Sequence, residues 1–237
     1  MSVVGAFKLA NSHWIPAVGL GTWHIPRKQL SETVQVALES GYRHFDTASI
    51  FQTADVLGDT LHRYDLPRAA IFLSYKLWPT HFKREDVQPA VEKALKDLRM
   101  DYLDSLLLHF PNALKTEQVG QKETATPAAG GQGKSVTPKM SLQVDHEHDI
   151  GDTWAALEDL HRQGLIRTLG VSNYSIPKLD ELKAKVTSVQ PMINQVELHP
   201  YHPQWELLEY SRKHDIHLTA ASPLGSTQGK DLRSDPV

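Results

Sequence analysis

Tyr102-Leu103-Asp104-Ser105-Leu106-Leu107-Leu108-His109-Phe110-Pro111 sets three leucines in a row ahead of a histidine, an aromatic ring and a proline. A strand with one wet face alternates apolar and polar residues, and Leu106-Leu107-Leu108 does not. Both of its faces therefore need cover, which is the condition of a parallel sheet flanked by helices. Five more short apolar runs read the same way, so six strands are predicted: Tyr42–Thr47, Ile71–Lys76, Ser105–His109, Arg167–Ser172, Met192–Leu198 and His217–Ala221. Amphipathic segments of helical period separate most of them, at Leu30–Ser40, Ala54–Tyr64, Arg84–Leu98, Thr153–Gln163, Ile176–Ala184 and Gln204–Lys213. Ser31 reads as a helix start, and Gly41 and Gly164 as helix ends that use the φ freedom of glycine. The repeating unit is strand, loop, helix, turn.

The composition narrows the chemistry. With 237 residues, 40% hydrophobic and 22% charged, the chain is long enough to bury the core of one α/β domain. A net charge of -3 gives no long-range attraction for phosphate backbones or acidic membranes, so neither nucleic acid nor membrane is an expected partner. The absence of cysteine removes disulfides, thiolate nucleophiles and zinc–thiolate sites. Met1 to Pro16 has no signal-like apolar run, and no stretch of about 18 apolar residues occurs. A soluble, cytoplasmic protein is expected.

Thr116–Thr137 interrupts the rhythm, being rich in Gly, Ala, Thr, Gln, Lys and Pro and poor in large apolar residues. It reads as a flexible surface loop. Following the Ser105–His109 strand, it belongs at the C-terminal rim of the sheet, where loops of β/α folds shape substrate pockets. An insertion without a role is the plainer alternative.

Asp46, Lys76 and His109 each stand at or near the C-terminal end of a different predicted strand. Any one alone is explained by a structural ion pair or a helix end. Three at consecutive strand ends converge on one cleft. The acidic and histidine-rich Asp145-His146-Glu147-His148-Asp149 reads as a solvated cluster, because nothing in a polar loop fixes ligand geometry; no metal is expected. His199 and His202 read as loop and packing residues.

Seven phrases resemble the aldo-keto reductases in order and spacing: GLGTW at 19–23, YRHFDTA at 42–48, KLWP at 76–79, YLDSLLLHFP at 102–111, GVSNY at 170–174, NQVELHPY at 194–201 and SPLGS at 222–226. The likeness covers nearly the whole chain outside the 116–137 loop. It implies a single domain over residues 1–237 with the α/β fold of a (β/α)8 TIM barrel, of which about six of eight strand–helix units are present. The resemblance further implies an NADP(H)-dependent oxidoreductase that reduces aldehydes or ketones to alcohols. Asp46, Lys76 and His109 match three catalytic positions of the family. The fourth, a tyrosine that donates the proton, falls on Phe51. Tyr75 is sent to the opposite face from Lys76 by strand alternation, and Tyr42 lies at the far end of its strand from Asp46, so neither replaces it.

By the same resemblance, Thr22, Trp23 and Asp46 approach the nicotinamide end of the cofactor. Ser172, Asn173 and Gln195 bind its carboxamide, and Ser222, Leu224, Gly225 and Ser226 approach the pyrophosphate. Trp23, Trp78, His109 and Phe110 would wall the carbonyl substrate. Two departures weaken cofactor binding: Ala221 stands where the family usually stacks an aromatic ring on the nicotinamide, and the sequence reaches Asp235-Pro236-Val237 without the family's later strands and basic 2′-phosphate segment. An open sheet edge suited to self-association is expected of such an incomplete barrel. Two functions follow from the resemblance. One is a carbonyl reductase impaired by Phe51; the other is a catalytically silent scaffold, with a cofactor sensor between them.

Overall fold

The computed structural model describes residues 5–64, 66–125 and 134–225, and through them strands and helices alternate as the apolar pattern requires. An antiparallel hairpin comes first, β1 (Ala6–Lys8) with β2 (Trp14–Pro16). The repeating units are then β3 (Leu20–Gly21), α1 (Arg27–Glu39), β4 (His44–Ala48), α2 (Ala54–Arg63), β5 (Phe72–Leu77), α3 (Arg84–Leu98) and β6 (Ser105–Leu108). A ribbon of β7 (Leu114–Ala125) and β8 (Lys134–Val144) intervenes, followed by α4 (Ile150–Arg162), β9 (Leu169–Ser172), α5 (Ile176–Lys185), β10 (Ile193–Glu197), α6 (Trp205–Lys213) and β11 (His217–Ala221).

Seven strands form one sheet in the order β11-β10-β9-β6-β5-β4-β3, every neighbouring pair parallel. In a flat sheet β10 and β4, four steps apart, would be separated by about 19 Å at ~4.8 Å per step. Instead the Gln195 Nε2 of β10 donates to the Asp46 Oδ1 of β4 at 3.0 Å. Only a strongly curled sheet permits that contact, and the architecture is a half-barrel of the (β/α)8 type, with β3 and β11 as its edges among the described residues.

The leucine triplet shows why both faces are apolar. Leu106 and Leu108 pack outward in the large core with Val87, Val91 and Leu98 of α3 and Trp154 and Leu157 of α4. Leu107 points inward and forms a second, smaller cluster with Leu9, Ile15, Phe72 and Ile193 on the barrel floor. All three leucines are fully buried, each contributing on the order of 2 kcal/mol of transfer free energy.

Several boundaries differ from the sequence reading. The sheet has seven strands rather than six, because Leu20–Gly21 is too short to register as an apolar run, yet it pairs with Phe45 and Asp46. Helix α1 starts at Arg27, four residues before Ser31. Ser31 therefore lies inside the helix, where its Oγ accepts from Thr60 of α2 at 3.0 Å. Helix α4 likewise starts earlier than Thr153, capped by Asp149, whose Oδ1 accepts from the Gly151 N–H at 2.8 Å. Gly41 and Gly164 do take the left-handed conformation, with φ of +90° and +80°.

The segment read as a loop over 116–137 is, in its described part, an antiparallel ribbon whose register runs from Leu114↔Val144 to Ala125↔Lys134 with a bulge at Gln118/Gly120. Its backbone groups pair with each other, so it needs no apolar face, and the lack of large apolar residues was a poor guide to its conformation. Among the described residues no helix is long and apolar enough to cross a membrane.

Candidate active site

Strand alternation turns Asp46 and Lys76 to the inner face near the ends of neighbouring strands, while Tyr75 points outward into the helix-packed core. Lys76 is almost completely buried, and its ammonium pairs with Asp46 Oδ2. Burial of a lysine demands such a partner. The second carboxylate oxygen accepts from Gln195. Burial drives the Tyr75 phenol up to about 12, so this hydroxyl holds its proton.

His109 follows β6 on the same rim. Its ring meets Trp78 edge-on at 5.2 Å between centroids and stacks on Phe110 at 5.1 Å. Its pKa is lowered to about 4, first by loss of solvent and then by the Lys76 charge, with Asp46 opposing. The imidazole is therefore neutral at neutral pH. Its Nδ1 is buried without a partner among the described residues.

Phe51 lies in the short 3-10 turn Ser49–Phe51 that follows β4. Its ring centroid is 5.5 Å from Lys76 Nζ, 5.9 Å from the His109 ring and 4.6 Å from the Trp23 ring. The same turn is tied to the next strand end, where the Trp78 N–H donates to Ser49 Oγ at 3.1 Å. Sequence reasoning did not single out Ser49, whose role depends on a neighbour 29 residues away. Trp23, 55% exposed, and Phe110, 40% exposed, leave one side of the aromatic group open to solvent.

The three amide-binding candidates form a chain of their own. Ser172 Oγ donates to the Gln195 carbonyl at 2.8 Å, and the Asn173 N–H donates to the same carbonyl at 2.9 Å. Asn173, held at φ 64°, sends its Nδ2 to the His109 carbonyl at 2.9 Å. Thr22 Oγ1 lies 3.1 Å from the Asp46 carbonyl and 3.0 Å from Thr47 Oγ1. Asp46, Lys76, Phe51, His109, Asn173, Ser172, Gln195 and Thr22 thus belong to one connected rim. Ser222, Leu224 and Gly225 form a separate exposed turn after β11, with φ of 50° at Ser222 and 88° at Gly225. Ser226 lies outside the described residues. Of the acidic and histidine-rich cluster, Asp149 caps α4 and His148 bonds Thr153 Oγ1 at 2.7 Å. His199 pairs with Glu197 at 3.0 Å.

The sequence profile of the Aldo/keto reductase family matches residues 17–236. The chain belongs to the aldo/keto reductase family. It is 39% identical to an aldo/keto reductase of Synechocystis over 93% of this chain and 64% of that protein. It is 38% identical to an uncharacterized oxidoreductase of Schizosaccharomyces pombe, over 93% of this chain and 64% of the relative. Aldo-keto reductase family 1 member A1 of Gallus gallus is 37% identical over 92% of this chain and again 64% of its own length. The chain thus spans somewhat less than two thirds of the length of these relatives. On this half-barrel, Asp46, Lys76 and His109 share the inner rim.

Proposed function

We propose that this chain binds NADP(H) and an aldehyde or ketone at the rim defined by Asp46, Lys76 and His109, and that it reduces the carbonyl slowly because position 51 offers no proton. One observation carries the reading: a phenyl ring stands 5.5 Å from the buried Lys76 ammonium and 5.9 Å from His109, where an ionisable hydroxyl would be tuned by both. A bound NADP(H) would supply the hydride. The residues present suit its carboxamide end. Asn173 is exposed, and Gln195 keeps a side-chain carbonyl beside its Nε2 bond to Asp46, so an amide N–H would find acceptors of the right type there. The pyrophosphate end has the glycine-containing turn at Ser222–Gly225, whose positive φ values favour exposed backbone N–H groups. Ala221 gives no stacking face, which weakens the grip.

The substrate oxygen would lie against His109, held by a neutral imidazole N–H. A neutral imidazole orients a carbonyl well but is a poor acid, so the proton arrives from water. Loss of a positioned general acid typically costs about 10²–10⁴ in rate. Trp23, Trp78 and Phe110 would favour apolar carbonyl compounds. The ribbon of β7 and β8 starts beside this rim, a position from which it would cover the pocket, and the β3 and β11 edges of the described sheet would favour self-association. A cytoplasmic location fits a cysteine-free reductase.

Titration with NADPH, read by cofactor fluorescence and by aldehyde-dependent oxidation, tests the reading. Saturable binding with slow turnover that rises in Phe51→Tyr supports it. Binding with no turnover in either protein favours the cofactor sensor, and no binding by a folded chain favours the second reading, a catalytically silent scaffold, which the phenyl ring at 51 and Ala221 also support. Absence of binding refutes both the reductase and the sensor.

A further inference from the structure

The Asp46 carboxylate has two partners on opposite sides of the curled sheet. Oδ2 pairs with Lys76 on the adjacent strand β5, whereas Oδ1 accepts from Gln195 Nε2 on β10 at 3.0 Å. Gln195 is itself nine-tenths buried, at 7% exposure, and its backbone carbonyl is fixed by Ser172 Oγ at 2.8 Å and by the Asn173 N–H at 2.9 Å. Its side chain therefore reaches Asp46 from a clamped backbone.

A carboxylate with one oxygen engaged presents the other in a single direction. The Gln195 bond to Oδ1 resists rotation of the Asp46 carboxyl group about its Cβ–Cγ bond and so fixes where Oδ2, the oxygen that Lys76 binds, is held. Without that bond the carboxylate is free to turn and to carry the ammonium with it. In the observed arrangement Lys76 Nζ lies 5.5 Å from the Phe51 ring centroid.

We infer that Gln195 is a positioning residue for the Asp46–Lys76 pair: by holding Asp46 Oδ1 it keeps the Lys76 ammonium directed toward position 51. This role differs from any contact of Gln195 with a cofactor amide, and it rests on the proposed function only in taking position 51 as the place where a proton would be supplied. It also ties the amide-binding chain to the ion pair, since Asn173 and Ser172 act on Asp46 through the Gln195 backbone.

The test introduces a titratable probe with Phe51→Tyr and measures the pKa of the introduced hydroxyl by ultraviolet absorbance and tyrosine ¹³Cζ NMR, which require neither cofactor nor turnover. Gln195→Met keeps the side-chain length and removes the donor. In the Phe51→Tyr background it is expected to raise the phenol pKa by about one unit, a tenfold drop in phenolate at fixed pH, because the cation moves away from the phenolate. A change that merely loosens the fold would act whatever stands at 46. The cycle is therefore repeated with Asp46→Ala, which removes the acceptor of Gln195, and there the effect of Gln195→Met is expected to vanish. Gln195→Glu gives a second readout, a still larger rise from a second carboxylate beside Asp46. No rise with Gln195→Met, or an equal rise in the Asp46→Ala background, overturns the inference. A phenol in Phe51→Tyr that Lys76 does not lower at all counts against the proposed function. A lowered phenol that is indifferent to residue 195 counts against the positioning role alone.

Discussion

Replacing Phe51 by Tyr places a hydroxyl in the field of Lys76, and the size of that field follows from the structure. The ammonium lies 5.5 Å from the ring centroid. With that centroid distance standing in for the phenolate oxygen, two unit charges at an effective dielectric of about 20 interact by about 3 kcal/mol, or roughly two pKa units. Asp46 opposes part of this, and partial burial pushes a phenol upward, as it does for Tyr75. The cleanest quantity is therefore a difference between two proteins that share the burial. The phenol in Phe51→Tyr is expected to titrate at or below the ordinary value of about 10. In Phe51→Tyr with Lys76→Met it is expected to titrate about two units higher. Absorbance near the phenolate maximum between pH 7 and 12 reads both, with unfolding followed separately by circular dichroism. A difference under about half a unit would refute the electrostatic reasoning, since a charge at this distance cannot be silent unless it is screened or turned away.

Other consequences are structural. Leu107→Ala, which opens the floor cluster with Leu9, Ile15, Phe72 and Ile193, is expected to cost about 2–5 kcal/mol in urea unfolding; a loss under about 1 kcal/mol would mean the floor collapses onto the gap. Lys76→Met leaves Asp46 without its cation and is expected to cost about 3 kcal/mol, checked by the same unfolding curve. His44 is buried, and loss of solvent lowers its pKa. The unfolded chain then binds a proton below about pH 6.5 that the folded chain refuses, so stability falls as pH drops, by up to about 1.4 kcal/mol per unit for this histidine. His109 and His217, also lowered, add to the slope, and His44→Leu is expected to remove only its own share.

The sequence reading and the structure agree where the physics is local or strongly periodic. Leu106-Leu107-Leu108 reported two covered faces, and the two clusters that receive those side chains confirm it. Helix α3, Arg84–Leu98, was legible to the residue because its apolar positions recur at helical spacing. The two-residue strand β3 was not legible, since its pairing with Phe45 and Asp46 depends on the neighbour. The ribbon β7–β8 escaped because its stabilising contacts are between backbones, which leave little mark on composition. In the candidate site, strand ends and alternation placed Asp46 and Lys76 inward and Tyr75 outward. The Gln195 contact with Asp46 spans 149 positions and four steps of the sheet, so no spacing rule could announce it. The neutral state of His109 was equally hidden, being set by burial and by Lys76 rather than by adjacent residues.

Deuteride transfer gives the most direct test of whether this rim performs carbonyl reduction. NADPH carrying deuterium at C4 would be incubated with an apolar aldehyde and each protein, and the alcohol examined by NMR. The expected result is label at the carbinol carbon, in small amount with the chain as it stands and about 10²–10⁴ times faster with Phe51→Tyr. Equal rates in the two proteins, or an alcohol formed without label, would contradict the assignment of this site.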